Sequence, residues 1–302
     1  MTNVGGQAVL EGVMMRSPGN WSVAVRTPAG EIAQVTCPID SAMARHWALR
    51  LPIVRGVIAL GESLAIGFRA LAISANYAAQ DESESGQEVD TELSRGALIF
   101  AFAIAIGFAL MLFKLTPGFL TELLPVKGTW FALVEGVIRI AILVAYLGLI
   151  SLLPDLRRVF QYHGAEHKAI NAYEAGEELE PETVQRYSLI HPRCGTAFLL
   201  WVMVIAIFVY AFFGRPAWYW LIAERILFLL PIAGVAYELI RFAGKHTGNR
   251  LLMTLLAPGL WLQWLTTREP SLDQLEVSIR ALRDVLERES ARTGESRVEV
   301  MA

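Results

Sequence analysis

The sequence predicts a mainly α-helical, polytopic membrane protein with about four transmembrane helices, further interfacial helices and a small N-terminal β element. Three observations carry this expectation. Apolar residues form long uninterrupted blocks, aromatic residues gather at the ends of those blocks, and the N-terminal stretch alternates between turn signals. Of the 302 residues, 54% are hydrophobic and 18% charged, against about 25% charged in an average soluble domain. The mean hydropathy is +0.44. A formal charge of -3 argues against nucleic acid as the main partner, because phosphate neutralisation needs a concentrated basic face. The two cysteines, Cys37 and Cys194, form no disulfide framework and fit a reducing compartment. The stretch MTNVGGQAVLEGVMMRSPGN lacks a basic region followed by an apolar one, so no cleaved signal peptide is expected.

Residues 1–40 read as a small β-rich cytoplasmic element. WSVAVRTPAGEIAQVTCPI contains two β-branched runs joined by Pro28-Ala29-Gly30, which is hairpin punctuation. Ahead of it, Gly5, Gly6 and Gly12 punctuate GGQAVLEGVMMRSPG. They could form a backbone loop lining a site, with Glu11 and Arg16 directed inward, but composition favours a plain glycine-punctuated strand pair. Within 42–79, Arg55, Glu62, Arg69 and Asn76 recur every seven residues on one helical face. Charges so spaced make a lipid-exposed span expensive, so 41–79 reads as amphipathic helices lying in the interface or packed beneath the bundle, with a first transmembrane pass as the alternative. Residues 80–95, with six acids and one base, read as a flexible linker.

A bundle over 96–266 follows, with spans at 97–113, 130–153, 196–214 and 218–240, each near the roughly 20 apolar residues that cover a hydrocarbon core. Trp130, Trp218, Tyr219 and Trp220 supply the interfacial belt. The block 251–265 is short and carries a Pro-Gly break, so an interfacial position is expected. Segments 114–129 and 214–217 hold only Lys114, Lys127 and Arg215 as basic residues. The positive-inside rule then places both termini and the 154–195 segment in the cytoplasm. Inside the spans, Glu135 with Arg139, Glu224-Arg225 and Glu238 either pair within the bundle or mark an ion path, with pairing favoured.

Residues 267–302 read as a cytoplasmic amphipathic helix and tail. Ser271 and Gln274 form a capping box, and Leu275, Ile279, Leu282 and Leu286 an apolar stripe suited to docking on the body or on a second copy of the chain. Glu276 with Arg280 and Asp284 with Arg288 are placed for helical ion pairs, and 291–302 is expected to fray.

Chemistry concentrates in 154–195. His163 and His167 stand four apart with Glu166 between, the H-x-x-E-H pattern in which two imidazoles on one helical face grip a metal and the Glu activates water. His191 and Cys194 follow in HPRCGT, and both donor types suit Zn²⁺. The plainer alternative is histidines bonded to carboxylates such as Glu174, with Cys194 packed as a small apolar group. His246, past the last span, is not taken as a ligand.

Together, GGQAVLEGVMMRSP, YHGAEHKAINAYE, HPRCGT and PGLWLQWLTTREP resemble the DUF1385, or YqhQ-like, family of bacterial membrane proteins, over nearly the whole chain. The resemblance implies a metal-dependent membrane protein with no settled reaction, its metal motif falling on His163, Glu166, His167, His191 and Cys194. The expected function is therefore zinc-dependent hydrolysis of a membrane-associated peptide or lipid. Glu166 would be the general base, and Arg193 a holder of an anionic group. Two alternatives stand beside it: a membrane scaffold with a structural metal, and a transporter using the intramembrane charges.

Overall fold

Turn chemistry and alternation dictate the N-terminal element. In the computed structural model, β1 (Gly5–Val9), β2 (Gly12–Arg16), β3 (Asn20–Arg26) and β4 (Ile32–Pro38) pair antiparallel in sequence order. The structure describes the backbone of residues 2–83, 95–213 and 218–301, with side chains described outside 78–99, 101–102, 214–226 and 293–302. Most of the acidic segment 80–95, and the side chains of Glu224 and Arg225, lie outside the described residues. The turn expected at Pro28-Ala29-Gly30 joins β3 to β4, with Gly30 at φ +86°, where a Cβ would be strained. Successive side chains take opposite faces. Val13, Met15 and Ala24 enter one core, and Met14, Trp21, Val23 and Val25 the other.

The chain continues through α1 (Ala42–Arg45), α2 (Val54–Ser83), α3 (Arg95–Leu110), α4 (Thr116–Glu122), α5 (Thr129–Ile150) and α6 (Pro154–Ala175). It ends with α7 (Pro181–Val184), α8 (Gly195–Phe213), α9 (Trp218–Lys245), α10 (Arg250–Thr266) and α11 (Leu272–Met301). Helix α2 covers one face of the sheet with Ile66 and Ala70. Helices α6 and α11 cover the other, with Tyr162, Ala165, Ala169, Leu275 and Leu282 fully buried. The sheet is thus the middle layer of a three-layer unit.

The expected capping box forms. Ser271 N donates to Gln274 Oε1 at 2.9 Å, and Gln274 N to Ser271 Oγ at 3.4 Å. The stripe of Leu275, Ile279 and Leu282 docks on the chain's own sheet and α6. Asp284 and Arg288 approach to 3.6 Å, but Glu276 pairs with Arg26 and Arg280 donates to Gln34. A nonlocal partner displaces the expected local one. Helix α11 also runs to Met301, through the segment expected to fray.

Glu289 ties α11 to the β2–β3 turn. It is buried and accepts from Ser17 Oγ at 2.8 Å, Gly19 N at 3.0 Å and Asn20 Nδ2 at 3.3 Å. Burial works against its charge, yet Arg292 and Ser17 hold its carboxyl below the usual range. The same balance, with Thr36 as donor, lowers Asp284. A lowered folded pKa means stability that is present above the ordinary carboxylate value and is lost as pH falls through the folded one. Glu289→Ala should therefore cost about 2–3 kcal/mol at neutral pH in urea unfolding, with the difference shrinking in acid. A deficit that did not change with pH would show packing, not charge, to be what was lost.

Among the described residues, five helical stretches are long and apolar enough to cross a membrane by length and composition: Val54–Tyr77, Ala103–Glu122, Thr129–Ile150, Gly195–Phe213 and Leu227–Lys245. The count differs from the expected four because α2 qualifies. The charges that argued against it are partly neutralised. Arg55 bonds Glu238 of α9, and Glu62 accepts from Ser41 Oγ and Ala42 N of α1 at 2.9 Å each. Two close approaches seat the start of α2 on α9: Gly56 lies under Tyr237, and Gly234 under Ile53. Large apolar residues such as Ile104, Phe108, Phe208 and Phe212 remain exposed on the bundle.

Helix α10 is continuous through Pro258-Gly259, so the expected break does not occur. Gly259 instead lets α10 approach Trp201 and Ala197 of α8, where a Cβ would sit 3.1–3.3 Å away. Within the bundle Glu135 pairs with Arg139 on α5.

Candidate metal centre

Helix α6 starts at Pro154, whose missing N–H costs nothing in the first turn, and stops at Gly176 in the left-handed conformation. Between them, His163 and His167 share a face with ring centroids 4.4 Å apart. Both rings are oriented by backbone carbonyls. His163 Nδ1 lies 2.7 Å from Thr266 O at the end of α10, and His167 Nδ1 2.5 Å from Leu189 O. Each Nδ1 is therefore the donor, which leaves each Nε2 directed inward, where the neutral ring presents its lone pair to a metal.

Cys194, at the mouth of α8, completes the cluster. Its Sγ is 3.3 Å from His163 Nε2, and one donor atom from each of His163, His167 and Cys194 lies within 4.8 Å of the others. His167 Nε2 is buried and has no hydrogen-bond partner. Glu166 is buried with Oε2 3.9 Å from both histidine Nε2 atoms. Burial pushes the Cys194 thiol up, but the hydrogen bond with His163 and the nearby His167 ring outweigh it and hold the thiol well below its ordinary value. Burial likewise opposes charge on His163, yet Cys194 and Glu166 raise it to about 9. The cluster favours a thiolate beside an imidazolium.

His191 and Arg193 stand beside this trio rather than in it. The His191 ring is 5.8 Å from that of His167, and its Nε2 faces Glu174 Oε2 at 3.5 Å. Its backbone is clamped to α10 by a two-way bond with the buried side chain of Gln263, 2.9 Å each way. Arg193 pairs with the same Glu174 and donates to Val4 O at 3.3 Å. His191 and the Arg193 pair hold the Glu174 carboxyl below its usual range. Glu174 thus engages His191, not the two α6 histidines.

The N-terminal glycines also find a role. A Cβ on Gly6 would lie 2.6 Å from Glu166 Cγ and 2.9 Å from Met14 O, so the carboxylate occupies space that only glycine leaves. Arg16 lines the same cavity as His163, Glu166 and Cys194, whereas Glu11 turns away to pair with Arg158. Thr266, Leu189, Gln263 and Gly6 are the orienting residues that spacing alone did not reveal. Their one signal is that Gly6, Gln263 and Thr266 lie in stretches that carried the resemblance.

Comparison with known proteins agrees with that resemblance. The family described as "Protein of unknown function (DUF1385)" matches residues 51–288. The chain belongs to this family. A Bacillus subtilis (strain 168) relative described as "Uncharacterized protein YqhQ" is 33% identical over 295 residues, covering 95% of this chain and 93% of the relative. No solved structure matches. The DUF1385 match includes all of α6, HPRCGT and the 267–271 connection, so the whole cluster lies within it.

Proposed function

We propose that this DUF1385 protein is a multi-pass protein of the cytoplasmic membrane. It would hold Zn²⁺ through His163, His167 and Cys194 and hydrolyse a membrane-associated substrate. The observation that carries the zinc reading is the donor set. Two imidazoles with Nδ1 bonded to carbonyls and a thiolate-favouring cysteine converge within 4.8 Å, and one buried Nε2 has no other partner. Zinc bound there supplies Lewis acidity toward a carbonyl or phosphoryl oxygen and lowers the pKa of a coordinated water. Glu166, beside both Nε2 atoms and nearly dry, is placed to take a proton from the nucleophile and return it to the leaving group. Arg193, held by Glu174, brings positive charge to the cavity wall.

Packing supports a common side for both termini. The N-terminal sheet and α11 bury a shared core, so an even number of crossings separates them. Not all five apolar helices then cross. Helix α2, whose second half lies on the sheet, fits the one that stays. Positive-inside bias makes the common side cytoplasmic.

One observation favours a structural metal instead. His191 Nε2 is buried without a hydrogen bond and near enough to His167 to swing in as a fourth ligand. Elemental analysis of detergent-purified protein tests the shared premise: about one zinc per chain is expected, and none in His163→Ala/His167→Ala. Metal-edge X-ray absorption of a Glu166→Gln variant separates the two readings. Three protein donors plus an oxygen supports hydrolysis, and a closed His/His/His/Cys shell supports the scaffold. Wild-type protein that neither retains nor takes up zinc sinks both.

A further inference from the structure

Beside the cluster lies a cavity of ≈ 1210 Å³, above the roughly 300–1,000 Å³ of an ordinary small-molecule site. The sheet, α2, α6 and the adjoining ends of α8 and α9 form its walls, so it sits where two apolar helices meet the folded unit. Its lining includes the apolar side chains of Met14, Leu60, Phe160, Phe198 and Ile240. It also includes the cations Arg16, Arg50, Arg55, Arg193, Arg241 and Lys245, and Glu166 is the sole carboxylate among the lining residues.

Two of these cations are balanced from behind the wall, Arg55 by Glu238 and Arg193 by Glu174. Arg16 is not. Its Nη1 donates to Ser63 Oγ at 2.6 Å, and among the described residues no carboxylate comes within ion-pair distance of it. Burial pushes the guanidinium below its ordinary pKa, with Glu62 and Tyr237 only partly opposing. Desolvating a cation without an ion-pair partner is unfavourable, and a bound anion would offset that cost. Arg16 pairs across the β1–β2 ladder with Gly5, beside the Gly6 on which Glu166 rests. The unbalanced charge and the His/His/Cys cluster therefore face one space.

We propose that this cavity binds an anionic phospholipid, its phosphate held by Arg16 with Arg241 and its chains laid along the apolar side chains of the lining. As a substrate class this rests on the hydrolase reading. As a binding site it needs no metal, so the two can fail separately.

The test is binding to the full chain in detergent, by native mass spectrometry or calorimetry, of phosphatidylglycerol, phosphatidylcholine and inorganic phosphate. Phosphatidylglycerol should bind at least about tenfold tighter than phosphatidylcholine, whose identical phosphate carries a choline cation that the arginines and lysine of the lining repel. Arg16→Met should remove that preference and Arg16→Lys restore part of it, with zinc content unchanged as the sign of an intact fold. If Arg16→Met fails to fold, Arg241→Gln decides, with a several-fold loss expected. Equal binding of the two lipids, inorganic phosphate binding as tightly as phosphatidylglycerol, or variants indistinguishable from wild type would each overturn the proposal. Lipid selectivity in a protein that takes up no zinc would retain the site and remove only the hydrolase.

Discussion

Cys194→Ser is expected to lower zinc affinity by well over about 100-fold, since losing even an outer partner of a metal ligand costs about 10–100-fold. Serine preserves size and packing, so the change isolates the donor. A hydroxyl stays protonated where the Cys194 thiol, hydrogen-bonded to His163 and close to His167, favours its anion. Loss of the thiolate also removes the largest influence holding His163 in its charged form against burial. In the metal-free protein the His163 pKa should therefore fall from about 9 toward or below 6.5, which histidine NMR titration can read. Chelator competition measures the affinity. Wild-type affinity in Cys194→Ser would remove Cys194 from the ligand set and leave two histidines, too few for a zinc site.

The local parts of this centre were legible in the sequence because they depend on local geometry. H-x-x-E-H fixes two imidazoles and a carboxylate on adjacent helical positions whatever the rest of the fold does. His191 and Cys194 show where that logic stops. Their three-residue spacing would align them on a helix, but α8 begins only at Gly195, and the preceding turn sends His191 to Glu174 while Cys194 enters the cluster. The carbonyls of Thr266 and Leu189 are about a hundred and about twenty residues from the rings they orient, so no spacing announces them. The hairpin at Gly30 and the cap at Ser271 were readable because each is made of adjacent residues. The apolar length of α2 is outweighed in the sequence by its charges for the opposite reason: Glu238, which balances Arg55, is 183 residues away.

Gly164→Ala should be the most damaging single-methyl change in the motif, costing about 3 kcal/mol by overpacking, less about 1 kcal/mol regained from alanine's helix propensity. Gly164 sits between the two α6 histidines, and a Cβ there would overlap the backbone oxygen of Arg268 and approach Leu189 Cδ2 to 2.8 Å. Neither neighbour yields cheaply. Arg268 N is bonded to Phe160 O at 2.9 Å, which ties the 267–271 connection to α6. The carbonyl of Leu189 itself orients His167, and that of Thr266, two residues before Arg268, orients His163. One methyl group therefore pushes on both carbonyls that aim the imidazoles. Urea unfolding should show a net loss of about 2 kcal/mol, and zinc affinity should fall with it, by about 10–100-fold as for any disturbed outer partner. Gly148→Ala on α5, where a Cβ meets nothing within 4 Å, is the control and should be neutral or slightly stabilising. If Gly164→Ala lost stability but kept full zinc affinity, the carbonyls would be supports for the fold rather than for the rings.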